Sequence, residues 1–166
     1  MEMEMFYYKC DLGILKISAT DAYVQEITFV KDETLPKLSI GKHPGLPVLR
    51  SCVQELDSYF SGSLKEFSFP FKQNGTQFQL KVWNELSGIP FGKTISYMAL
   101  SKKLGDVKAI RAAASANGKN AMAIVVPCHR VIGSNGTLVG YAGELWRKQW
   151  LLTHEARHAH GVQSLF

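Results

Sequence analysis

The chain has 166 residues, of which 46% are hydrophobic and 20% charged, so it can bury the core of one domain or two small ones and is not a disordered chain. Its three cysteines are an odd number without close pairing, which excludes a disulfide framework. No apolar run approaches the length of a membrane span and no signal peptide is evident. We therefore expect a cytoplasmic protein, or a nuclear one in a eukaryote. Residues 1–73 carry a net charge of −2 and residues 74–166 a net charge of +7, and this basic half predicts a polyanionic partner such as nucleic acid.

Residues 1–73 have the pattern of a small α/β domain. Three short segments are rich in β-branched and aromatic residues and are separated by turn-forming residues, which predicts a three-stranded antiparallel meander. The expected strands are Met5–Cys10, Gly13–Thr20 and Tyr23–Val30. Residues 31–47 contain several prolines and glycines and predict a long loop.

A helix and one further strand are expected to complete this domain. Apolar residues recur at helical spacing over residues 49–60, and Gly62 is the expected end of the helix. The alternating phenylalanines of residues 67–71 predict one more strand. Cys52 lies on the apolar face of the helix and Cys10 ends a strand, so both are expected to be structural. Together with His43 they lack the paired spacing of a zinc site, and no metal is predicted.

Residues 74–166 are expected to form a second, mainly α-helical domain, with the boundary at the turn signal Gln73–Gly75. Its first three helices are expected at about 77–86, 97–104 and 107–117, with the N-caps Thr76, Ser96 and Asp106. Because the second and third helices follow each other closely, they have the layout of a helix-turn-helix.

The third of these helices is unusually rich in small residues. Its sequence, Val-Lys-Ala-Ile-Arg-Ala-Ala-Ala-Ser-Ala-Asn, contains five alanines, and the long cation Arg111 stands out among them. Small side chains let a helix approach another surface closely, and a long cation on that face could then reach into the partner. The same composition is expected if alanine serves only as a good helix former and Arg111 is a solvated charge, so the helix alone leaves both interpretations open.

The segment after this helix contains the third cysteine. Residues 124–126 are a β-branched run that predicts a buried strand, and Pro127 after it can open a helical turn. A hairpin turn is expected at residues 133–136, followed by a returning strand at residues 137–141. The last helix is expected from about Glu144 to Ala159.

Cys128, His129 and Glu155 could act together. A thiol at the first turn of a helix lies near the positive end of the peptide dipoles, which favours its thiolate. A histidine can take the proton of the thiol, through a water molecule because adjacent residues on a turn do not face each other, and a carboxylate can orient that histidine. Glu155 shares an apolar stripe with Leu145 and Leu152 and is expected to face the core, where a carboxylate needs a partner. A structural thiol beside a hydrogen-bonded histidine remains the alternative.

The segment Pro127–Val131, Pro-Cys-His-Arg-Val, resembles the active-site motif of the O6-alkylguanine-DNA alkyltransferases, the methylated-DNA–protein-cysteine methyltransferases. Other segments resemble this family in the same order: Gly75–Gln79, Val82–Trp83, Ile95–Tyr97, Arg111, Asn120, Gly140–Gly143 and Trp150–Glu155. The resemblance covers residues 75–158 almost without gaps, whereas the first half matches only in size and layout. It implies a ribonuclease-H-like N-terminal domain and a winged-helix-like C-terminal domain.

The resemblance also implies roles for the matching residues. Cys128 would accept the alkyl group, His129 would deprotonate it through a water molecule, and Glu155 would hold His129. Asn120 would support the turn that carries Cys128, and Tyr97 would donate a proton to the guanine as it leaves.

The same resemblance implies contacts with DNA. Arg111 would insert into the duplex in place of a flipped base, and its helix would lie in the minor groove. The implied DNA-contacting residues are Arg111, Ser96, Ala112, Ala113 and Ser115, and the implied walls of the base pocket are Val131, Tyr141 and Ala142.

The implied function is DNA repair by a monomeric, single-use transferase without metal or organic cofactor. Its substrate would be double-stranded DNA carrying O6-alkylguanine, with O4-alkylthymine as a second candidate. Two other functions stay open. A DNA-binding damage sensor or regulator would perform no chemistry, but alkyltransferase-like proteins of that kind lack the cysteine. A cysteine hydrolase would need an oxyanion hole, of which the sequence carries no independent sign.

The chain departs from the family pattern at Glu144, where many members have a further glycine, and at Ala142, where some have serine.

Overall fold

The computed structural model describes residues 2–31, 43–141 and 143–161. The helices and strands are β1 (Met3–Cys10), β2 (Gly13–Thr20), β3 (Val24–Phe29), α1 (Pro47–Ser61), α2 (Gln77–Ser87), β4 (Ile95–Ser96), α3 (Tyr97–Lys103), α4 (Ile110–Gly118), β5 (Val131–Ile132) and α5 (Leu145–His160). The chain divides into two units, Met1–Gln73 and Asn74–Phe166. No helix in the described part of the chain is long and apolar enough to cross a membrane.

The first unit is an antiparallel sheet with one helix against it. The strands follow the order β1-β2-β3, so the predicted meander is confirmed. The central strand β2 buries Leu15, Ile17 and Ala19, and α1 packs on the sheet through an apolar face that includes Cys52. α1 ends where predicted, at Gly62, whose left-handed backbone (φ 92°) is a conformation that glycine adopts without strain. The part of the predicted loop at residues 32–42 lies outside the described residues.

The additional strand predicted over residues 67–71 is wrong. Within the described ranges, this segment makes one isolated bridge to β3, between Val24 and Phe71. The carbonyl of Pro70 accepts the Val24 N–H at 3.0 Å, but proline has no N–H with which to continue a ladder. The phenylalanine rings instead contact one another edge to face, with centroids 5.9 Å apart for Phe67 and Phe69. In this described segment the alternating phenylalanines therefore pack against one another, and the alternation does not mark a strand.

The second unit is built on well-capped helices. Thr76 begins α2 with a capping box: its hydroxyl accepts the Gln79 N–H at 3.1 Å, and the Gln79 side chain accepts the Thr76 N–H at 3.0 Å. The buried indole of Trp83 donates to the carbonyl of Ala116 at 2.9 Å, which joins α2 to α4. This contact fixes α4 against the body of the unit.

α3 and α4 form the predicted helix-turn-helix. Ser96 and Asp106 cap the two helical segments by accepting backbone N–H groups at 2.9 and 2.8 Å. The second segment differs from the prediction at its start, because residues 107–109 form a turn of 3₁₀-helix and the α-helix begins only at Ile110. α4 packs against both α2 and α3, which leaves one of its faces exposed.

The strand predicted at residues 124–126 is wrong, although these residues are buried. The N–H of Val126 donates to the carbonyl of Met122 at 3.0 Å, so local turns satisfy the backbone where a strand would need a neighbour. Ile124 has φ 73°, a left-handed conformation that is strained for a β-branched residue. A buried turn has the same apolar composition as a buried strand, which explains the error.

The strand predicted at residues 137–141 is likewise not formed in this described segment. The turn at residues 133–136 is present, but two side chains satisfy carbonyls of the chain that follows. Lys148 Nζ donates to the carbonyl of Val139 at 2.8 Å, and the Tyr97 hydroxyl donates to the carbonyl of Gly140 at 3.3 Å. β5 pairs instead with β4, in parallel.

α5 contains the predicted buried face, with one exception. Leu152, Glu155 and Ala156 are buried as predicted, whereas Leu145 is 48% exposed. Leu145 is the first residue of the helix and follows Glu144, which has a left-handed backbone (φ 76°), so the stripe begins only one turn later.

Candidate active site

Cys128 begins a single 3₁₀ turn, Cys128–Arg130, directly after Pro127, as the sequence predicts. Cys128 is buried, with 7% of its surface exposed. Asn120 holds the preceding chain in place: its Nδ2 donates to the carbonyl of Val126 at 2.8 Å, and its Oδ1 accepts the Met122 N–H at 3.1 Å. These two hydrogen bonds close the turn that leads to the cysteine.

Burial raises the pKa of the Cys128 thiol, although a hydrogen bond from Asn120 and the charge of Lys148 act in the opposite direction. Desolvation therefore opposes the thiolate, which the peptide dipoles and hydrogen-bond donors of the turn favour. A thiol with a raised pKa needs a base before it can attack.

His129 is completely buried and lies 2.8 Å, Nε2 to Oε2, from Glu155. Burial lowers the pKa of His129 even though Glu155 raises it, so the imidazole is neutral at pH 7. Since a carboxylate can only accept, Nε2 carries the proton and Nδ1 is the free lone pair. Nδ1 is buried and makes no hydrogen bond to any residue that the structure describes. The ring is thus a neutral base held in one tautomer.

Arg130 shares Glu155 with His129, a role that the sequence reasoning missed. Its Nε and Nη2 donate to the two carboxylate oxygens at 2.7 and 3.0 Å, and its Nη1 donates to the carbonyl of Ile89 at 2.6 Å. Burial by itself raises the pKa of Glu155, but the charges and hydrogen bonds of His129 and Arg130 outweigh it and hold the pKa well below its ordinary value. Glu155 is therefore ionised, and each of its oxygens accepts at least one hydrogen bond.

Lys148 is a second residue that the sequence reasoning missed. It is fully buried on α5, and its Nζ donates to the carbonyls of Val131 and Val139 at 2.6 and 2.8 Å. Burial lowers its pKa to about 8, with the nearby Cys128 thiol group acting against that shift. A sequence signal did exist, because Lys148 precedes Glu155 by seven residues and so lies on the same face of the helix.

Tyr97 lies half-buried at the start of α3. Its hydroxyl donates to the carbonyl of Gly140 at 3.3 Å and accepts from Asn117 Nδ2 at 3.4 Å. Burial and the neighbouring Cys128 raise the pKa of Tyr97, while the Asn117 hydrogen bond lowers it. Tyr97 is therefore protonated at neutral pH and can donate a proton close to the cysteine.

The structure describes two of the three residues that are expected to line a base pocket. Val131 is fully buried in β5, next to the cysteine turn. Tyr141 is partly buried, and burial together with the Cys128 group raises its pKa well above the ordinary value. Ala142 lies outside the described residues.

The residues expected to contact DNA divide into two groups. Arg111, Ala112 and Ser115 lie exposed on one face of α4. Ser96 is half-buried and its hydroxyl caps α3. Ala113 is fully buried between α4 and its neighbours, so its side chain does not lie on the exposed face of the helix. Packing against α2 and α3 uses this side of the helix, which periodicity in an alanine-rich segment does not reveal.

The described ranges 2–31, 43–141 and 143–161 contain no group of three or more His, Cys, Asp or Glu side chains that could hold a metal ion. Cys52 is buried in α1, and burial raises the pKa of its thiol.

Comparison with known proteins places both units in one family. Residues 4–73 match 6-O-methylguanine DNA methyltransferase, ribonuclease-like domain, and residues 77–157 match 6-O-methylguanine DNA methyltransferase, DNA binding domain. A methylated-DNA–protein-cysteine methyltransferase of Mycolicibacterium paratuberculosis is 40% identical over 155 residues, which cover 93% of each chain. One of Methanosarcina acetivorans is 37% identical over 153 residues, covering 91% of this chain and 98% of that protein. A crystal structure of Mycobacterium tuberculosis OGT in complex with DNA superposes with a TM-score of 0.83 at 35% identity, covering 93% of this chain and 94% of the other. These similarities confirm the predicted fold class.

Proposed function

Because the chain belongs to the 6-O-methylguanine DNA methyltransferase family, we propose that it is a methylated-DNA–protein-cysteine methyltransferase that repairs O6-alkylguanine by transferring the alkyl group to Cys128. The observation that carries the proposal is the buried hydrogen-bonded arrangement of His129 and Glu155 directly beside the cysteine. It supplies a neutral base next to a thiol that must lose its proton before it can react.

The transfer is a displacement at an sp³ carbon. His129 Nδ1 takes the thiol proton through a water molecule, and the resulting thiolate attacks the alkyl carbon. The new S–C bond forms as the bond between that carbon and O6 breaks, and the electron pair passes to the guanine. Glu155 stabilises the imidazolium that forms, and Lys148 stabilises the thiolate through its charge.

The leaving guanine needs a proton, and the Tyr97 hydroxyl, which interacts with the Cys128 group, can supply it. Its hydroxyl proton passes to the purine, so the product is neutral guanine and not an anion. Cys128 ends as a thioether, a group that water does not hydrolyse. Each molecule therefore reacts once, and no metal or organic cofactor is needed.

DNA binds to the exposed face of α4 in this proposal. Arg111, Ala112 and Ser115 are exposed there, and the unit that contains them has a net charge of +7. Small side chains let the helix approach the minor groove, and Arg111 fills the gap that a flipped base leaves. Flipping costs a few kcal/mol, which the inserted guanidinium partly offsets. Ala113 takes no part, because it faces the core.

The experiment is a stoichiometric transfer assay. The protein is incubated with a duplex that contains one O6-methylguanine, and its peptides are then weighed by mass spectrometry. The expected result is one added methyl group on the Cys128 peptide of the wild type and none in Cys128→Ser. A DNA-binding sensor would bind the duplex without any mass change. Turnover beyond one equivalent would contradict the single-use reaction and favour a hydrolase.

A further inference from the structure

Asn117 is a buried polar residue for which neither the sequence reasoning nor the mechanism above has a use. It lies in the last turn of α4 and is 2% exposed. Its Nδ2 donates to the backbone carbonyl of Cys128 at 3.3 Å and to the hydroxyl oxygen of Tyr97 at 3.4 Å. One amide therefore contacts both the turn of the nucleophile and the acid that protonates the leaving group.

The orientation of this amide follows from its partners. A backbone carbonyl can only accept a hydrogen bond, so the atom facing Cys128 must be the NH₂ group and not Oδ1. The second hydrogen of the same NH₂ group points to the Tyr97 oxygen, which must accept it. Since Tyr97 has a single proton, that proton is directed away from Asn117, and it is donated to the carbonyl of Gly140.

We propose that Asn117 is a positioning residue that directs the Tyr97 proton toward the leaving guanine. By donating to the phenol oxygen, Asn117 prevents the hydroxyl from turning its proton into the protein. It also stabilises the phenolate that exists after the proton has passed to the purine. The inference rests on the proposed function, because it needs Tyr97 to act as the acid. The proton balance is unchanged: the thiol proton taken by His129 returns through solvent to the tyrosinate.

The hydrogen bond to the Cys128 carbonyl allows a different role, in which Asn117 only shapes the cysteine turn. The two roles make different predictions. A residue that acts through Tyr97 has no effect once the hydroxyl is removed, and it leaves the intrinsic reactivity of the thiol unchanged. A residue that shapes the turn affects the thiol whether or not the hydroxyl is present.

A double-mutant cycle with two readouts separates these roles. The single-turnover rate of methyl transfer from a duplex with O6-methylguanine is measured for wild type, Asn117→Ala, Tyr97→Phe and the double variant. The rate of Cys128 alkylation by iodoacetamide, which needs no acid, is measured for the same four proteins. Asn84→Ala, an exposed asparagine on α2, is the matched control.

We expect Asn117→Ala to slow transfer about 3- to 10-fold, the usual effect of one lost hydrogen bond, and to leave iodoacetamide alkylation unchanged. In the Tyr97→Phe background the same substitution should have no further effect. Equal losses in both backgrounds, or a parallel loss of iodoacetamide reactivity, would overturn the proposal. Failure of the proposed function itself is distinguishable, because wild type would then acquire no methyl group at all.

Asn117→Asp provides a second test if the alanine variant does not fold. It keeps the shape of the side chain but offers Tyr97 an acceptor, so the hydroxyl proton turns toward residue 117 and away from the guanine. We expect transfer to slow more than in Asn117→Ala, with the difference again abolished by Tyr97→Phe. Wild-type transfer rates in Asn117→Asp would contradict the proposal.

Discussion

Replacing Glu155 by glutamine tests the central hydrogen-bonded arrangement of the site. The carboxylate is 1% exposed and accepts from His129 Nε2 at 2.8 Å and from Arg130 at 2.7 and 3.0 Å. An amide has one acceptor oxygen, so its NH₂ group must face either the imidazole N–H or the guanidinium. The guanidinium of Arg130 also loses the charge that compensates it in the interior.

Two consequences follow, one for stability and one for catalysis. Breaking a buried ion pair by removing one partner costs ~3–5 kcal/mol, which for a unit of this size lowers Tm by roughly 10 °C or more. If the NH₂ group faces His129, the imidazole must accept at Nε2 and carry its proton on Nδ1, where it can no longer act as a base. We expect methyl transfer to slow by about 10²–10⁴-fold, as in other sites that lose the correct histidine tautomer.

The assay combines thermal unfolding with the single-turnover transfer rate, and Glu85→Gln on α2 is the control for the same chemical change. We expect the control to behave as wild type in both measurements. A Glu155→Gln protein with the Tm and rate of wild type would refute the reasoning, because the carboxylate would then neither stabilise the core nor fix the tautomer.

The shifted pKa values of His129 and Glu155 predict how the stability of the protein depends on pH. His129 has a lowered pKa in the folded protein, so below its ordinary value of 6.5 the unfolded chain binds a proton that the folded chain does not. Glu155 also has a lowered pKa, so its stabilisation is complete above its ordinary value of 4.5 and is lost as pH falls below it. The free energy of unfolding should therefore fall as pH drops through 6.5 and more steeply below 4.5. In Glu155→Gln the steep part should be weaker.

Three further predictions concern other parts of the second unit. Lys148→Met removes the buried charge near Cys128, which lowers the pKa of the thiol, so the pH at which iodoacetamide alkylation is half-maximal should rise. An unchanged pH profile would exclude an electrostatic role for Lys148. Arg111→Ala should weaken repair of duplex DNA more than reaction with the free modified base, and equal losses would argue against an inserted arginine. Thr76→Ala removes the capping box of α2 and should lower the free energy of unfolding by ~1 kcal/mol in urea titrations, with methyl transfer unchanged.

Local signals in the sequence determined much of the fold. The alternation and turns of β1 to β3, the glycine after α1 and the N-caps Thr76, Ser96 and Asp106 all involve residues close together in the chain. Such interactions depend on neighbouring residues alone, which is why they were predictable. The proximity of Glu155 to the core was also predictable, because it follows from helical periodicity.

Two of the errors lie where the composition suits a strand but other groups satisfy the backbone. Residues 124–126 and 137–141 have compositions that suit a strand, but their backbone groups are satisfied by turns and by the side chains of Lys148, Tyr97 and Asn120. Composition indicates burial and does not indicate which partner satisfies the backbone.

The sequence by itself determined that Cys128 lies on a turn after a proline, followed by a histidine and with a carboxylate on the buried face of a later helix. Only the tertiary structure decided the protonation states of these groups. Burial raises the pKa of the Cys128 thiol and lowers the pKa of His129, and the packing of the unit places Arg130 against Glu155. Desolvation depends on every element packed around a group, so no local pattern can specify it.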